Sequence, residues 1–549
     1  MSFFIKLFKS FTRKELLVLL VAAGVFIISF SLVLAEFVVQ KTKITAVSGG
    51  SYIEGLVGQP SFINPVLASG DVDRDLIKLI FSDLNQLAEN YKVENNGEIW
   101  RYRLKDGVKW QDGEKITSDD IIFTIETIQN QDVYSPILQN WQGVGVERIS
   151  EREIEFKLPA AYVFFQNALK NLKPIPKHIF AKIPASNLKL SDYNLNPVGS
   201  GPYKILSFKK QSDGFIDSYI LERNEDYSGD KPYLKKIKVI FYAGENEIIS
   251  AFNNGEIDGF GLANSRNLEK IISPHEIFPF KTLKYYAVFF NYYSHPAFKE
   301  EDVRMALDLA VNKEELVKNI FSDYATIVSG PLVQNNDVAE NLSSIDEASK
   351  ILDDSGWLMN EEGIRQKTIG KEVIKMEFSL VVPQIQILID TAELIKQEWG
   401  KIGVKANISI LSLSEINNEI IKTRDYQMII FGNILGKSPD LYSFWHSSEK
   451  FYPGLNLSLY ENKRADKLIE SIRENFNDDK RSVDLEKLQS LIASDYPAVF
   501  LYSPDYLYIG KKKFYRFDSL TPEEKFISFS SDRFNNIEKW YVETTRAFK

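Results

Sequence analysis

The chain has 549 residues, of which 44% are hydrophobic and 26% are charged, and its net charge is −9 at neutral pH. This length is too great for one hydrophobic core, so it predicts two or three domains of ordinary globular composition. Residues 1–35 carry a charge of +3 and the remaining chain therefore carries −12, which argues against a nucleic-acid partner. The chain contains no cysteine, which excludes disulfides, thiolate metal sites, a cysteine nucleophile and a lipid-modified cysteine.

An unbroken run of uncharged, mainly apolar residues occupies residues 16–35. A helix of this length, at ~1.5 Å per residue, spans about 30 Å, the thickness of the hydrocarbon core of a bilayer. Because four basic residues precede the run, we predict a transmembrane helix with residues 1–15 as a cytoplasmic tip, and residues 36–47 as a linker outside the membrane. The alternative is an exported protein with a cleaved signal peptide, for which residues 33–35 offer a cleavage site.

The exported body begins with a strand, a loop and a helix. Residues 52–57 predict the strand. The loop after it contains Gln59, Ser61 and Phe62 among two prolines and a glycine, which exclude regular structure there. A helix is predicted over residues 71–87.

Residues 100–125 combine three local structures without spacers. Residues 100–104 alternate large apolar and basic side chains, which predicts a strand with one solvated face. Two Asp-Gly turns follow, and Ser118 is the predicted N-cap of a helix with Asp119 and Asp120 in its first turn. The string WRYRLKDGVKWQDGEKITSDDIIFTI resembles the best-known segment of the family-5 extracellular solute-binding proteins. These are receptors that deliver peptides, nickel and other solutes to ABC importers.

Further segments resemble the same family, in the family's order. Residues 196–203 read NPVGSGPY. Pro202 lacks the N–H group that a phosphate cradle would need, so we predict a close crossing into a strand at residues 203–208 instead. Residues 223–234 and the NGEID string at residues 254–258 also match the family pattern.

The middle of the chain predicts alternating helices and strands. Residues 285–293, which include Asn291, are too aromatic for an exposed strand and predict burial on both faces. In the resembled family this strand connects two lobes. Asn312 and Ser344 are predicted N-caps of helices. Residues 373–410 predict a β–α–β unit, which favours a mixed sheet with helices on both faces.

A strand predicted at residues 426–431 leads into a loop that contains Gly, Gly, Lys and Ser in the order of a Walker A motif. The spacing is one residue short and a proline follows, so we do not predict nucleotide binding. The string PDLYSFWHS at residues 439–447 resembles the solute-binding family. In its peptide-binding members, an aspartate shortly before this string pairs with the amino terminus of the peptide. Leu435 takes that position here, and a shifted alignment would bring Asp440 into the role.

Ten residues are therefore the predicted ligand contacts. They are Gln59, Ser61, Phe62, Asn291, Asn433, Leu435, Asp440, Tyr442, Trp445 and His446.

The sequence predicts no catalytic residue, no metal site and no cofactor. The four histidines lie far apart and lack metal-ligand spacing. The chain also contains no GxSxG nucleophile elbow.

The resemblance covers residues 48–510 and implies an α/β, two-lobed fold of the type II periplasmic-binding kind, with an extra inserted domain, preceded by the transmembrane helix. The implied segments are residues 48–80, 196–284 and 497–549 for lobe I, 81–195 for the inserted domain and 285–496 for lobe II.

The implied function is that of a monomeric, membrane-anchored receptor outside the cytoplasm. It would capture a peptide or similar small solute between its lobes, through backbone groups and aromatic walls, and pass it to an ABC permease and ATPase. One alternative is an interaction or chaperone-like protein that keeps the fold without a transported ligand, which the leucine at position 435 favours. Another is a membrane-tethered hydrolase, which would need carboxylates or a Ser–His pair converging in the cleft.

Overall fold

The computed structural model describes residues 12–333, 343–512, 517 and 520–548. Most of the predicted cytoplasmic tip therefore lies outside the described residues, as do short pieces of both predicted lobes. The domain boundaries given above stay predictions.

The structure is mixed α/β. Its strands are β1 (Thr42–Val47), β2 (Ser51–Val57), β3 (Ala88–Glu94), β4 (Ile99–Leu104), β5 (Gly145–Ser150), β6 (Glu153–Lys157), β7 (Tyr203–Lys210), β8 (Ile216–Arg223), β9 (Lys236–Tyr242), β10 (Gly259–Leu262), β11 (Glu276–Thr282), β12 (Lys284–Phe290), β13 (Ala325–Ile327), β14 (Leu358–Met359), β15 (Arg365–Ile369), β16 (Glu372–Lys375), β17 (Glu377–Pro383), β18 (Lys405–Leu411), β19 (Met428–Ile434), β20 (Ala498–Gly510), β21 (Phe526–Ile527) and β22 (Glu543–Phe548). Its α-helices are Arg13–Lys41, Asp71–Ile80, Leu84–Leu87, Ser118–Gln129, Phe165–Asn171, Lys177–Phe180, Glu245–Asn253, Glu301–Leu309, Lys313–Phe321, Ile345–Asp354, Gln386–Lys401, Leu413–Glu415, Tyr442–Trp445, Lys463–Glu474 and Asp478–Ser494.

The N-terminal helix Arg13–Lys41 has 29 residues, is long and apolar enough to cross a membrane, and buries none of its residues against the protein. It continues directly into β1, which pairs antiparallel with β22, so that Thr42 lies opposite Phe548. The hydroxyl of Thr45 donates to the Thr545 carbonyl at 3.2 Å. The segment for which we predicted a linker is therefore a helix end and a strand of a two-stranded ribbon.

One sheet runs through the body in the order β18-β17-β19-β12-β20-β10-β2-β9-β8-β7, with β11, β13 and β21 attached beside β20. Pairs such as β2–β9 and β17–β18 are parallel, whereas β12–β20 and β8–β9 are antiparallel. The first half of β20 pairs with β12 and β13, and its second half pairs with β10 and β11. The predicted mixed sheet is thus present, and β20 joins its two halves.

Strand β12 is buried on both faces, as its aromatic sequence predicts. Val288 and Phe290 pack in one hydrophobic cluster, with the helix Gln386–Lys401. Tyr285, Ala287 and Phe289 alternate with them and pack in a second cluster, with Trp445 and the helix Asp478–Ser494.

A separate four-stranded antiparallel sheet has the order β3-β4-β6-β5. The core side chains Trp100 and Tyr102 of β4 belong to the same hydrophobic cluster as Ile237 and Val239 of β9. The predicted inserted domain therefore shares its core with the strands of predicted lobe I.

Three local expectations differ from the structure. The N-cap of the helix Ser118–Gln129 is Thr117, one residue earlier than predicted, because its hydroxyl and the Asp120 side chain form a reciprocal capping box. The helix predicted over residues 71–87 is two helices, separated at residues 81–83. The parallel β–α–β unit begins at Glu377 rather than at Val373, because β16 turns back on β15 in a small sheet of its own.

The break after Ile80 is where the NPVGSGPY string crosses the chain. The amides of Ser200 and Gly201 donate to the Ile80 carbonyl at 3.1 and 2.7 Å. A Cβ at Gly199 would lie 2.1 Å from that oxygen, and one at Gly201 would lie 2.6 Å from its carbon. The two glycines are needed because backbone meets backbone here, as the predicted close crossing requires.

We expect Gly201→Ala to lower the free energy of unfolding by about 1–3 kcal/mol, because the added methyl group overlaps rigid backbone. Gly400→Ala is the control, since nothing lies within 4 Å of a Cβ at that helical position; it should be neutral or stabilise by up to ~1 kcal/mol. Urea denaturation of the two variants measures the difference, and equal midpoints would contradict the packing argument.

Candidate binding cleft

Three cavities follow the boundary between the hydrophobic clusters of the two halves. The interlobe cavity, of about 460 Å³, has Leu56 and Leu262 on one side and Phe321 and Leu388 on the other. Two flank cavities, of about 510 and 790 Å³, lie where the region of β3–β6 meets the later part of the chain. These volumes are in the range of small-molecule sites.

The end of β19 and the loop after it lie at the junction of the three cavities. Ile434 lines the interlobe cavity and one flank cavity, and residues 435–438 line both flank cavities. The Leu435 amide donates to the Leu283 carbonyl at 2.9 Å, which ties this loop to the link between β11 and β12.

A buried ion network lies behind the wall of the interlobe cavity. The guanidinium of Arg533 contacts Glu54 and Asp75 at 2.8 Å each, and all three side chains are almost fully buried. Burial raises the pKa of both carboxyls, and Arg533 opposes that rise. Of the three, Asp75 lines the cavity, and its carboxylate shares the Arg533 guanidinium with Glu54.

The other carboxylates of the interlobe cavity are also engaged. Asp71 contacts Arg74 at 2.9 Å, and Asp505 contacts Lys281 at 3.0 Å. Glu245 accepts hydrogen bonds from the amides of residues 263 and 264 and from the Asn267 side chain.

Lys284 is the basic residue that lines this cavity, and its contacts differ from those of the carboxylates. Its ammonium nitrogen lies 5.9 Å from the centre of the Tyr286 ring. Within the part of the chain that the structure describes, it has no ion pair and no side-chain hydrogen bond. Burial lowers the pKa of Lys284, and the distant Asp71 only partly opposes this effect.

The larger flank cavity is bordered by a clamp around Arg473. Its guanidinium lies 4.9 Å from the ring centre of Tyr162 and 4.2 Å from that of Tyr442. Its Nε lies 3.3 Å from Asp440, which also accepts the Tyr162 hydroxyl at 2.7 Å. Burial and the Asp440 carboxylate raise the pKa of Tyr162, which therefore stays protonated and donates. The clamp connects the region of β3–β6 to the loop after β19.

Comparisons with known proteins agree with this geometry. The family described as bacterial extracellular solute-binding proteins, family 5, middle region, matches residues 84–452. The chain belongs to this family. The family consists of substrate-binding transport proteins and not of enzymes.

Among curated relatives, the oligopeptide-binding protein AppA of Bacillus subtilis is 28% identical over 482 residues, which cover 83% of this chain and 87% of AppA. Among solved structures, the ABC transporter substrate-binding protein CtaP of Listeria monocytogenes is 27% identical with a TM-score of 0.75, covering 90% of this chain and 99% of CtaP. The structure of Bacillus subtilis AppA in complex with a nonapeptide is 25% identical with a TM-score of 0.70, covering 91% of this chain and 100% of AppA. These neighbours are two-lobed periplasmic-binding proteins, so the predicted fold class is confirmed.

Nine of the ten predicted contacts of this family-5 protein fall into three groups, and His446 stands apart from them. Leu435, Asp440 and Tyr442 line flank cavities. Asp440 is held by Arg473 and Tyr162, so its carboxylate is engaged within the protein.

A second group of predicted contacts makes structural hydrogen bonds near β2. Gln59 accepts from the amide of Ile216 at 3.0 Å, and the amides of Ser61 and Phe62 donate to Asp73. None of these three predicted residues is part of the lining of the three cavities.

A third group lies inside lobe-forming cores. Asn291 donates to the carbonyls of residues 424 and 426, Asn433 donates to the Tyr285 hydroxyl, and Trp445 is fully buried beside them. Their side chains fix strands β12 and β19 relative to one another, and they lie outside the lining of the three cavities.

His446 forms a Ser–His contact that invites comparison with hydrolases. Its Nδ1 lies 2.8 Å from the Ser448 hydroxyl oxygen, and Glu470 lies 3.4 Å from Nε2. The same Nδ1 also accepts the Ser448 amide at 3.1 Å, so the ring acts as an N-cap of a short turn. Neither residue lines the three cavities. The pair is thus a local capping structure, in keeping with the family's transport role.

Among the described residues, no group of three or more His, Cys, Asp or Glu side chains is placed to hold a metal ion.

The sequence interpretation missed the charged residues of the interlobe cavity. Lys284 is the first residue of the aromatic strand β12, and Asp505 and Tyr506 lie in β20. A signal was present at Lys284, because a lysine beside a strand that is buried on both faces needs either solvent or a partner.

We expect Arg473→Met to loosen the contact between the β3–β6 region and the loop after β19. The change removes one ion pair and two cation–π contacts, each of which contributes about 0.5–1 kcal/mol at partly exposed sites. Small-angle X-ray scattering of the ligand-free protein should then give a larger radius of gyration than for the wild type. Arg464→Met, an exposed position on the same helix, is the control; equal radii for both variants would contradict the role of the clamp.

Proposed function

We propose that this protein captures a short peptide between its two lobes and delivers it to an ABC importer. The observation that carries the proposal is the interlobe cavity of about 460 Å³, whose walls come from different hydrophobic cores. The name of the relative AppA, an oligopeptide-binding protein, and the nonapeptide in its structure support a peptide as ligand. The nearby flank cavities offer additional space for the side chains of a longer peptide.

The proposed lobes are those predicted from the sequence: residues 48–80, 196–284 and 497–549 for lobe I, 81–195 for the inserted domain and 285–496 for lobe II. Ligand binding would stabilise their closed arrangement, and the closed surface would be what the permease recognises. The energy for transport would come from ATP hydrolysed by the ATPase of the importer. The receptor itself works as a monomer in this proposal.

We further propose that the helix Arg13–Lys41 stays in the membrane as an anchor, with the body outside the cytoplasm. The exposed apolar surface of this helix and its direct continuation into the β1–β22 ribbon support retention. Cleavage after residue 35 would leave a fragment of helix attached to the ribbon, and the protein would then be released from the membrane.

The cavities weigh against an interaction protein that keeps the fold without a ligand, because such a protein has no need of a cavity between its lobes. The engaged state of Asp440 and the leucine at position 435 do not favour recognition of a free peptide amino terminus. Peptide capture would therefore depend on other groups of the ligand.

The peptide proposal predicts thermal stabilisation of the full chain, in detergent, by a pool of random peptides of four to nine residues. At a concentration 100 times the dissociation constant, binding adds about 2.7 kcal/mol to the free energy of unfolding, and the melting temperature rises accordingly. Val57→Trp, at the cavity wall, should abolish the rise by filling the site. Val373→Trp, at another exposed strand position away from the three cavities, should keep it. A melting temperature that peptides leave unchanged in the wild type would refute peptide capture.

The anchor proposal predicts that the full-length protein stays in the membrane pellet after an alkaline carbonate wash of cells. Deletion of residues 1–41 from the mature protein should move it to the soluble fraction, because no other described helix is long and apolar enough to span a bilayer. Intact-mass measurement of the native protein provides the second readout. A mass that corresponds to a chain starting at residue 36 would establish cleavage instead.

A further inference from the structure

The charged side chains that line the interlobe cavity differ in whether they have a bonding partner within the protein. The carboxylates that line it, those of Asp71, Asp75, Glu245 and Asp505, are each paired with a cation or with N–H donors. In the described chain, the ammonium group of Lys284 has no such partner. Among the described residues, Lys284 is therefore the charged side chain of the cavity lining that has neither an ion pair nor a hydrogen bond.

The surroundings of Lys284 make this charge costly. The cavity is lined with apolar and aromatic side chains, including Tyr286, Ile387 and Ile434. Desolvation of an ammonium group in such surroundings is unfavourable unless an anion compensates it. An anionic group of a bound solute supplies that compensation, so it gains more here than it would at an exposed lysine.

The position of Lys284 also fits a ligand contact. It is the first residue of β12 and lies opposite Ile434 of β19, which lines both the interlobe cavity and the larger flank cavity. Its neighbours on β20 belong to the proposed lobe I, and Ile387 belongs to the proposed lobe II. A group bound to its ammonium therefore contacts both lobes at the hinge.

The residues expected to contact the amino terminus of a peptide differ from the surroundings of Lys284. Leu435, at the position of the family's amino-terminus aspartate, offers no charge, and the carboxylate of Asp440 is bound by Arg473 and Tyr162. Among the described residues of the interlobe cavity, the charged group that remains available to a ligand is therefore a cation. A cation attracts a carboxylate and not the ammonium group of a free amino terminus.

We propose that Lys284 binds a carboxylate of the captured solute, so that the protein selects ligands with a free carboxylate, such as the carboxyl terminus of a peptide. This inference rests on the proposed capture of a solute between the lobes. It goes beyond that function because it names the chemical group that is recognised and the residue that recognises it.

The first experiment compares two pools of N-acetylated tetrapeptides, one with a free carboxyl terminus and one amidated, by calorimetric titration of the full chain in detergent. The acid pool should bind the wild type at least about tenfold more tightly, since a hydrogen bond to a charged group contributes about 1.5–3 kcal/mol. Lys284→Met should bind both pools with the affinity of the wild type for the amide pool. Lys284→Arg should retain the preference for acids.

Lys236→Met is the matched control, because Lys236 is also the first residue of a strand, β9, but is exposed to solvent. It should keep the full preference for the acid pool. Equal affinity of the wild type for both pools would overturn the Lys284 proposal and leave peptide capture intact. Retention of the acid preference in Lys284→Met would overturn it as well.

A second titration uses succinate and its dimethyl ester as probes that are not peptides. Binding of succinate alone, lost in Lys284→Met, would support the carboxylate site even if neither peptide pool binds, and would then refute only the peptide part of the proposed function. Absence of binding by all four probes would refute the carboxylate proposal, whereas peptide capture is judged by the melting temperature with the pool of four to nine residues.

Discussion

The continuity of β20 is the constraint on which the rest of the structure depends. Its thirteen residues pair with β12 and β13 at one end and with β10 and β11 at the other. Buried backbone N–H and C=O groups must stay hydrogen-bonded, so the two halves of the body move only as far as this strand and its neighbours bend. The link between β11 and β12 is a single residue, Leu283. In the proposed function, a motion of the lobes would therefore be restricted to a hinge at these strands.

The interlobe cavity lies beside these strands. Whether a charged side chain there is paired depends on how close it lies to the buried sheet. Strands that are buried on both faces leave little room for charge, so the ionic groups near them are paired, as Arg533 is with Glu54 and Asp75. Lys284 stands apart because it lies where the sheet opens into a cavity. At the far end of the cleft, the Arg473 clamp engages the carboxylate of Asp440. Among the described residues that line the interlobe cavity, Lys284 is thus the charged group without an ion pair or a hydrogen bond.

The sequence was sufficient to predict elements whose signal is local. The alternation of β4, the apolar stripe of the helix Gln386–Lys401 and the double burial of β12 all follow from side-chain periodicity. The order of motifs predicted the fold through family resemblance. The break in the helix after Ile80 was not predictable, because it is caused by a loop that crosses the chain there and lies about 120 residues later in the sequence. The charge balance of the interlobe cavity was hidden for the same reason, since Lys284, Asp505 and Asp75 meet only after folding. The ten predicted contacts stay predictions, although three of them line flank cavities.

The ribbon of β1 and β22 can form only late in synthesis, because its two strands lie about 500 residues apart in the sequence. Residue 45 meets residue 545 across a separation of 500 residues. During synthesis the helix Arg13–Lys41 leaves the ribosome long before β22, the strand that fastens its outer end to the body. Until nearly the whole body has been exported, β1 has an open edge, and newly made chains at the membrane surface could pair with one another through it. Closure of the ribbon occupies one edge of β1, and no other described strand pairs with its second edge, so pairing between chains through β1 is most favoured before closure.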